Sequence, residues 1–195
     1  MAELRVARSE LILGGQKSGK TARAEALAAS WLAAGPDHRA IYIATAQAWD
    51  EEMRERIARH RHDRARRVPA METVEEPLEL ARAIGAHSRA DTLVVVDCLT
   101  LWLTARLLPA VQLPPAGAQG EAPAPDHAIA DAIARAAGPL VLVSNEIGLG
   151  VVPLGADTRA FVDALGRLNQ QAALACERVT LMTAGLPLTL KDLTS

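Results

Sequence analysis

Residues 14–21, Gly-Gly-Gln-Lys-Ser-Gly-Lys-Thr, have the composition and spacing of a phosphate-binding loop. They match the pattern G-x-x-x-x-G-K-[ST], in which backbone N–H groups surround the phosphates and the lysine reaches the β- and γ-phosphates. The hydroxyl at the last position holds Mg²⁺. The glycines permit positive φ and a close approach of the backbone to the ligand. The motif therefore predicts a nucleoside triphosphate site in which Lys20 contacts the phosphates and Thr21 holds Mg²⁺.

The segments on either side of this loop are the elements that the motif requires. The apolar residues 11–13 before it have the pattern of a strand, and the alanine-rich residues 21–29 after it have the pattern of a helix. A glycine turn that binds nothing is the alternative interpretation. The order of strand, loop and helix favours phosphate binding.

Three further strands are predicted, at residues 40–45, 92–97 and 139–146, and each ends in polar residues. These residues are Thr45, Asp97, Asn145 and Glu146. Strands that alternate with helices predict an α/β fold with a largely parallel sheet, and such sheets bind ligands outside the carboxyl ends of their strands. We therefore expect the four side chains to share a crevice with residues 14–21, where Asp97 orients Mg²⁺. The alternative for Asp97 is a cap of the helix predicted at residues 98–108.

Residues 50–67 are predicted to form a strongly basic helix. Its first turn is acidic, which suits the positive N-terminal end of a helix. Seven arginines follow, at Arg54, Arg56, Arg59, Arg61, Arg64, Arg66 and Arg67. The run also contains His60 and His62, which face different sides of a helix because they are two residues apart. A solvated helical face and a surface that faces a nucleotide are both open interpretations of this run.

The remaining segments predict connecting elements. A short helix is expected at residues 78–84, with Pro77 in its first turn. The proline-rich residues 109–125 are expected to form an irregular insertion, either a lid or an inert loop. Strands at residues 178–183 and 186–190 are expected to form a C-terminal hairpin, with its turn at residues 185–187.

Composition indicates a single globular domain over residues 1–195. Half of the residues are hydrophobic, which is enough for a substantial core. The formal net charge of −2 excludes the global positive field that would attract nucleic acid or an anionic membrane. Cys98 and Cys176 do not make a disulfide framework. No secretory leader or membrane span is apparent, so we expect a cytoplasmic protein.

Six motifs in a fixed order carry a resemblance to a known family. They are Leu-Gly-Gly-Gln-Lys-Ser-Gly-Lys-Thr at 13–21, Tyr-Ile-Ala-Thr-Ala-Gln at 42–47, Asp-Glu-Glu-Met-Arg-Glu-Arg-Ile at 50–57 with His60, Thr-Val-Glu-Glu-Pro at 73–77, Asp-Cys-Leu-Thr-Leu-Trp-Leu at 97–103, and Ser-Asn-Glu-Ile-Gly-Leu-Gly-Val-Val-Pro at 144–153. Together they resemble the bifunctional adenosylcobinamide kinases and adenosylcobinamide-phosphate guanylyltransferases of cobalamin biosynthesis.

The resemblance implies a RecA-like P-loop NTPase fold, assembled as a trimer. It also implies two reactions. Adenosylcobinamide is phosphorylated by ATP or GTP, and GMP then passes from GTP to adenosylcobinamide phosphate through a guanylylated histidine, which matches His60. The implied catalytic residues are His60 and Lys20. The implied nucleotide contacts are Gly14, Gly15, Gln16, Lys17, Ser18, Gly19, Lys20, Thr21, Ala44, Thr45, Ala46, Arg61, His62, Asp63, Arg64, Glu75 and Asp97, with Thr21 and Asp97 as the Mg²⁺ ligands.

The chemistry of imidazole agrees with a histidine nucleophile, because a reference pKa of about 6.5 leaves much of it unprotonated at pH 7. His62 is the competing nucleophile. A kinase of another small metabolite, without guanylyl transfer, is the alternative function. A regulatory GTPase is disfavoured because the sequence has no Asn-Lys-x-Asp element.

Overall fold

A computed structural model describes residues 4–107 and 125–194. Within these residues lie seven strands and six helices. The strands are β1 (Ser9–Gly14), β2 (Arg39–Ala44), β3 (Met71–Glu75), β4 (Thr92–Asp97), β5 (Leu140–Val143), β6 (Arg178–Thr183) and β7 (Leu186–Asp192). The helices are α1 (Lys20–Ala33), α2 (Glu51–Arg67), α3 (Leu80–His87), α4 (Leu99–Leu107), α5 (Pro125–Arg135) and α6 (Ala156–Ala175).

All seven strands belong to one sheet, in the order β3-β2-β4-β5-β1-β6-β7. Every neighbouring pair is parallel except β6 and β7, which form an antiparallel hairpin. The α/β class, the largely parallel sheet and the C-terminal hairpin predicted from the sequence are confirmed. As a consequence, β1, β2, β4 and β5 present their carboxyl ends at the same edge of the sheet.

Hydrophobic cores cover both faces of the sheet. In β1, Leu11 and Leu13 pack into one core, while Ile12 packs into the other, as the alternation of strand side chains requires. Helices α3 to α6 contribute to the first core, and α1 contributes Ala24 and Leu27 to the second. Burial on both faces explains why β4 and β5 are continuously apolar in sequence.

Three predicted details are wrong. Residues 71–75 form strand β3, which the sequence interpretation did not include. The short helix starts at Leu80, and Pro77 precedes it, because the side chain of Glu76 accepts hydrogen bonds from the backbone N–H groups of residues 78 and 79. The hairpin turn lies at residues 184 and 185, so Pro187 belongs to β7.

The expected insertion at 109–125 falls almost wholly on residues 108–124, which lie outside the described residues. Its role as a lid or an inert loop stays a prediction. In the ranges 4–107 and 125–194, no helix has the length and apolar character needed to cross a membrane.

Candidate functional site

The loop between β1 and α1 has a shape that glycine makes possible. Gly14 has φ of +150°, and a Cβ atom there would lie 2.5 Å from the carbonyl oxygen of Met182. Gly19 has φ of +101°, and a Cβ atom there would lie 3.2 Å from Cα of Gly185. The loop is also tied to the β6–β7 turn, because Gly185 N–H donates to Ser18 O at 3.0 Å. The turn of the C-terminal hairpin therefore packs against the phosphate loop and helps to fix its shape.

Two polar side chains of this loop are buried. Lys20 donates from Nζ to the carbonyl oxygens of Gly14 at 2.9 Å and Gly15 at 2.7 Å, and burial lowers the pKa of its ammonium group. Ser18 Oγ is buried and has no hydrogen-bond partner among the described residues. A buried hydroxyl without a partner is costly. A phosphate oxygen at the loop would supply the partner that Ser18 lacks.

A cavity of about 1090 Å³ opens at the carboxyl edge of the sheet and joins this loop to α2. Most of the residues that the sequence singled out for the site line it. They are Gln16, Lys17, Ser18, Gly19, Lys20, Thr21, Ala44, Ala46, His60, Arg61, Asp63, Arg64 and Asp97. Asn145, from the end of β5, also lines the cavity. Residues from five separate segments thus surround one volume.

Other predicted residues lie beside the cavity without lining it. The carbonyls of Gly14 and Gly15 hold Lys20. Thr45 is fully buried, and its hydroxyl donates to Cys98 O and accepts from Cys98 N–H at 2.8 and 2.7 Å, which joins the ends of β2 and β4. Glu75 forms an ion pair with Arg61. The remaining predicted contacts, His62 and Glu146, are also absent from the cavity wall in the part of the chain described here.

Helix α2 carries His60 and is attached to the sheet through arginines. Asp50 caps its first turn by accepting from Met53 N–H at 2.7 Å. Three arginines spaced three residues apart then contact residues of other elements. Arg61 pairs with Glu75, Arg64 stacks over the Tyr42 ring at 3.7 Å and donates to Thr73 Oγ1 at 3.0 Å, and Arg67 donates to Glu25 at 2.8 Å.

The sequence left two interpretations of the basic run open, a solvated helical face and a surface that faces a nucleotide. The structure supports each of them for different arginines. Arg66 is exposed and is absent from the cavity wall, as a solvated face requires, whereas Arg56, Arg59 and His60, which are also exposed, line the open cavity. Arg64 is buried. His60 and Arg64 are four residues apart and therefore share a helical face. The stacking of Arg64 on the Tyr42 ring thus directs His60 towards the cavity. His62 is exposed and lies on another side of α2.

Comparison with known proteins identifies the relatives of this chain. Residues 10–190 match the family model CobU, described as "Cobinamide kinase / cobinamide phosphate guanyltransferase". The chain belongs to this family. The family resemblance expected from the six motifs is therefore confirmed.

Curated relatives of the family match over nearly their whole length. The chain is 49% identical over 183 residues to the bifunctional adenosylcobalamin biosynthesis protein CobP of Pseudomonas aeruginosa, covering 93% of this chain and 96% of the relative. It is 33% and 35% identical to proteins named bifunctional adenosylcobalamin biosynthesis protein CobU from Escherichia coli and Salmonella typhimurium. Each of these alignments covers 93% of this chain and 98% of the relative.

In this member of the CobU family, Tyr42 connects α2 to Asp97. Its hydroxyl donates a hydrogen bond to Asp97 Oδ2 while Arg64 covers its ring. Burial, and then the neighbouring carboxylate of Asp97, raises the pKa of Tyr42 well above 10.0, so the hydroxyl keeps its proton. Tyr42 is itself buried, in the core that contains Ile12.

The side chains of the cavity fit a Mg²⁺ ion that shares its ligands with a nucleotide better than they fit a metal ion bound by protein groups alone. Thr21 and Asp97 both line the cavity and offer oxygen ligands. No group of three or more His, Cys, Asp or Glu side chains is arranged to hold a metal within residues 4–107 and 125–194. Mg²⁺ is commonly held by one or two protein oxygens together with water and substrate phosphates. The site therefore suits a magnesium ion that binds with the nucleotide.

Proposed function

We propose that this chain is a bifunctional enzyme of cobalamin biosynthesis, acting as adenosylcobinamide kinase and adenosylcobinamide-phosphate guanylyltransferase. The observation that supports this most strongly is that His60 and the phosphate loop line one cavity. A nucleotide whose phosphates lie on residues 14–21 can then meet either an acceptor hydroxyl or an imidazole. Family membership and the names of the relatives support the same pair of reactions.

In the kinase reaction, the hydroxyl of adenosylcobinamide attacks the γ-phosphorus of ATP or GTP. A new P–O bond forms, the bond from the γ-phosphorus to the bridging oxygen breaks, and the nucleoside diphosphate leaves. The hydroxyl proton passes to solvent. Positioning and charge neutralisation provide most of the catalysis in such transfers. Lys20 and the backbone N–H groups of the loop would supply both.

In the guanylyl transfer, a neutral nitrogen of His60 attacks the α-phosphorus of GTP. A P–N bond forms and the bond to the bridging oxygen breaks, so that pyrophosphate leaves with the electron pair. A phosphate oxygen of adenosylcobinamide phosphate then attacks the same phosphorus, the P–N bond breaks, and His60 is regenerated. Arg56 and Arg59 line the cavity and would stabilise the negative charge that develops on pyrophosphate.

Two further parts of the proposal concern the cofactor and the assembly. We propose that Thr21 and Asp97 hold Mg²⁺, which would neutralise phosphate charge when bound. We also propose a homotrimer, as the family resemblance implies. The exposed leucines of β7, Leu186, Leu188 and Leu190, support self-association because they form an apolar stripe on an edge strand. Sedimentation equilibrium of the full chain would test the mass.

Incubation with GTP labelled at the α-phosphate tests the proposed function. The unaltered protein is expected to gain an acid-labile, alkali-stable label without any corrinoid. The label is expected to be absent from His60→Ala. His62→Ala is the matched control, because His62 lies on the same helix but away from the cavity, and this variant is expected to label normally.

Other outcomes would contradict parts of the proposal. Label that persists in His60→Ala and disappears in His62→Ala would move the nucleophile to His62. Complete absence of label from a folded protein that still hydrolyses or transfers the γ-phosphate would favour a simple kinase of a small metabolite. Failure of corrinoid phosphorylation in a labelled protein would refute the kinase half alone.

A further inference from the structure

Residues 147–154 form an exposed apolar segment, which we call the apolar rim. Its large apolar side chains are exposed to solvent: Leu149 is 82% exposed, Val151 95%, Val152 73% and Leu154 99%. No charged residue occurs between Glu146 and Asp157. Single exposed apolar residues are ordinary on protein surfaces, whereas a contiguous group indicates a binding surface. The apolar rim is such a group.

Hydrogen bonds to the backbone anchor the chain on both sides of the exposed side chains of this segment. Two residues before it, Asn169 Nδ2 donates to Asn145 O at 3.0 Å, and Asn145 N–H donates to Thr100 Oγ1 at 2.9 Å. At its end, Arg159 donates from Nη1 to the carbonyls of Pro153 at 3.0 Å and Leu154 at 2.5 Å. The backbone is therefore fixed at both ends while the apolar side chains remain directed at solvent.

The apolar rim begins at the edge of the nucleotide cavity. Asn145 and Ile147 both line that cavity. Leu149 is two residues further along, so its Cα lies within about 7 Å of that of Ile147 by chain length alone. A molecule whose reactive arm enters the cavity would thus have the rest of its body beside this segment.

We propose that the apolar rim is the docking surface for the macrocycle of the corrinoid acceptor. This inference rests on the proposed function, which it deepens by naming a second subsite. A corrin is a wide, partly saturated ring with methyl groups on its faces and amide arms at its edge. Only the arm that carries the hydroxyl must reach the phosphates. The ring needs an uncharged apolar surface just outside the cavity, and the apolar rim is such a surface.

The position of the segment favours this occupant over a second copy of the chain. Its connection to the cavity places it where an acceptor must approach, whereas the leucines of β7 lie on the distant edge strand of the sheet. The rim contributes one residue, Ile147, to the cavity wall, whereas the described β7 leucines contribute none. Contact of the rim with another copy is a distinct outcome of the experiment below.

The test combines two readouts on the full chain. Labelling of His60 by GTP carrying an α-phosphate label needs no corrinoid, while phosphorylation of adenosylcobinamide gives KM for the corrinoid. The rim variant is Leu149→Gln with Leu154→Gln. The matched control is Leu174→Gln, because Leu174 is also strongly exposed, at 75%, but lies near the other end of α6. Val151→Thr, a nearly isosteric change, is a second rim variant that guards against misfolding.

The expected result is a rise of about tenfold or more in KM for the corrinoid in the double rim variant, because apolar contact area is lost. A smaller rise is expected in Val151→Thr. The label on His60 should form at the unaltered rate in both rim variants, and Leu174→Gln should match the unaltered protein in both readouts.

An unchanged corrinoid KM in the folded rim variants would overturn the inference. A fall in sedimentation mass of the rim variants, with loss of label as well, would also overturn it by assigning the rim to a contact between copies of the chain. Absence of label from the unaltered protein would instead refute the proposed function, so the two failures are distinguishable.

Discussion

Replacing Tyr42 with phenylalanine removes one hydroxyl from the centre of the site and leaves the ring in place. The lost group donates to Asp97 Oδ2, while the ring on which Arg64 stacks is retained. The change therefore separates two roles of Tyr42. Its ring packs against Arg64 of α2, and its hydroxyl restrains the Asp97 carboxylate.

The expected magnitude follows from the charge of the acceptor. A buried hydrogen bond to a charged group contributes about 1.5–3 kcal/mol, so the free energy of unfolding should fall by about that amount. The freed carboxylate would also lose the orientation in which we propose that it holds Mg²⁺. We expect the rate of His60 labelling at limiting Mg²⁺ to fall by about tenfold, equivalent to about 1.4 kcal/mol, and to recover largely at saturating Mg²⁺.

Urea denaturation and labelling kinetics measure the two effects. Thr180→Val is the matched control, because it removes a buried hydroxyl that donates to the carboxylate of Glu10 at 2.8 Å, away from the cavity. The control should lose comparable stability and label at the normal rate. Tyr42→Phe with unaltered labelling at limiting Mg²⁺, or with unaltered stability, would refute the role assigned to the Tyr42 hydroxyl.

Further predictions concern groups in and beside the cavity. Burial raises the folded-state pKa of Tyr42 well above 10.0, so its contribution to the free energy of unfolding should be intact below pH 10 and should decline as the pH rises further. Tyr42 is the single tyrosine of the chain, so near-ultraviolet absorbance reports the ionisation of this residue alone. Gly14→Ala should lose GTP binding, measured by calorimetry, and should lower the free energy of unfolding by about 1–3 kcal/mol, because the added Cβ would clash with Met182 O. Gly15→Ala is the control and should still bind GTP, because its Cβ would have no atom within 4 Å. Burial raises the pKa of the Cys98 thiol to about 11, so alkylation of the folded protein at pH 8 should be far slower than alkylation of the urea-unfolded chain.

Features that depend on local sequence were predicted well. The phosphate loop, the buried strand β4 and the acidic first turn of α2 each follow from residues close together in the chain. Strand β3 was missed for a physical reason. It is an edge strand whose residues are mostly exposed or partly exposed, so it lacks the apolar pattern by which strands are identified.

Contacts between distant residues could not be predicted from spacing. Thr45 bonds to the backbone of Cys98, and Tyr42 to Asp97, across 53 and 55 residues of sequence. The contacts made by Arg61, Arg64 and Arg67 of α2 likewise depend on partners in other elements, such as Glu75 in β3. The sequence could indicate a basic helix with a candidate nucleophile, but the fold decides which side faces the nucleotide.

The most direct test of the central claim is a chase of isolated guanylylated protein. Protein labelled from α-phosphate-labelled GTP would be freed of nucleotide and mixed with adenosylcobinamide phosphate. If His60 carries the guanylyl group between the two substrates, label should leave the protein and appear in the corrinoid product in equal amounts, without added GTP. Label that stays on the protein, or that appears only as free GMP, would contradict the account.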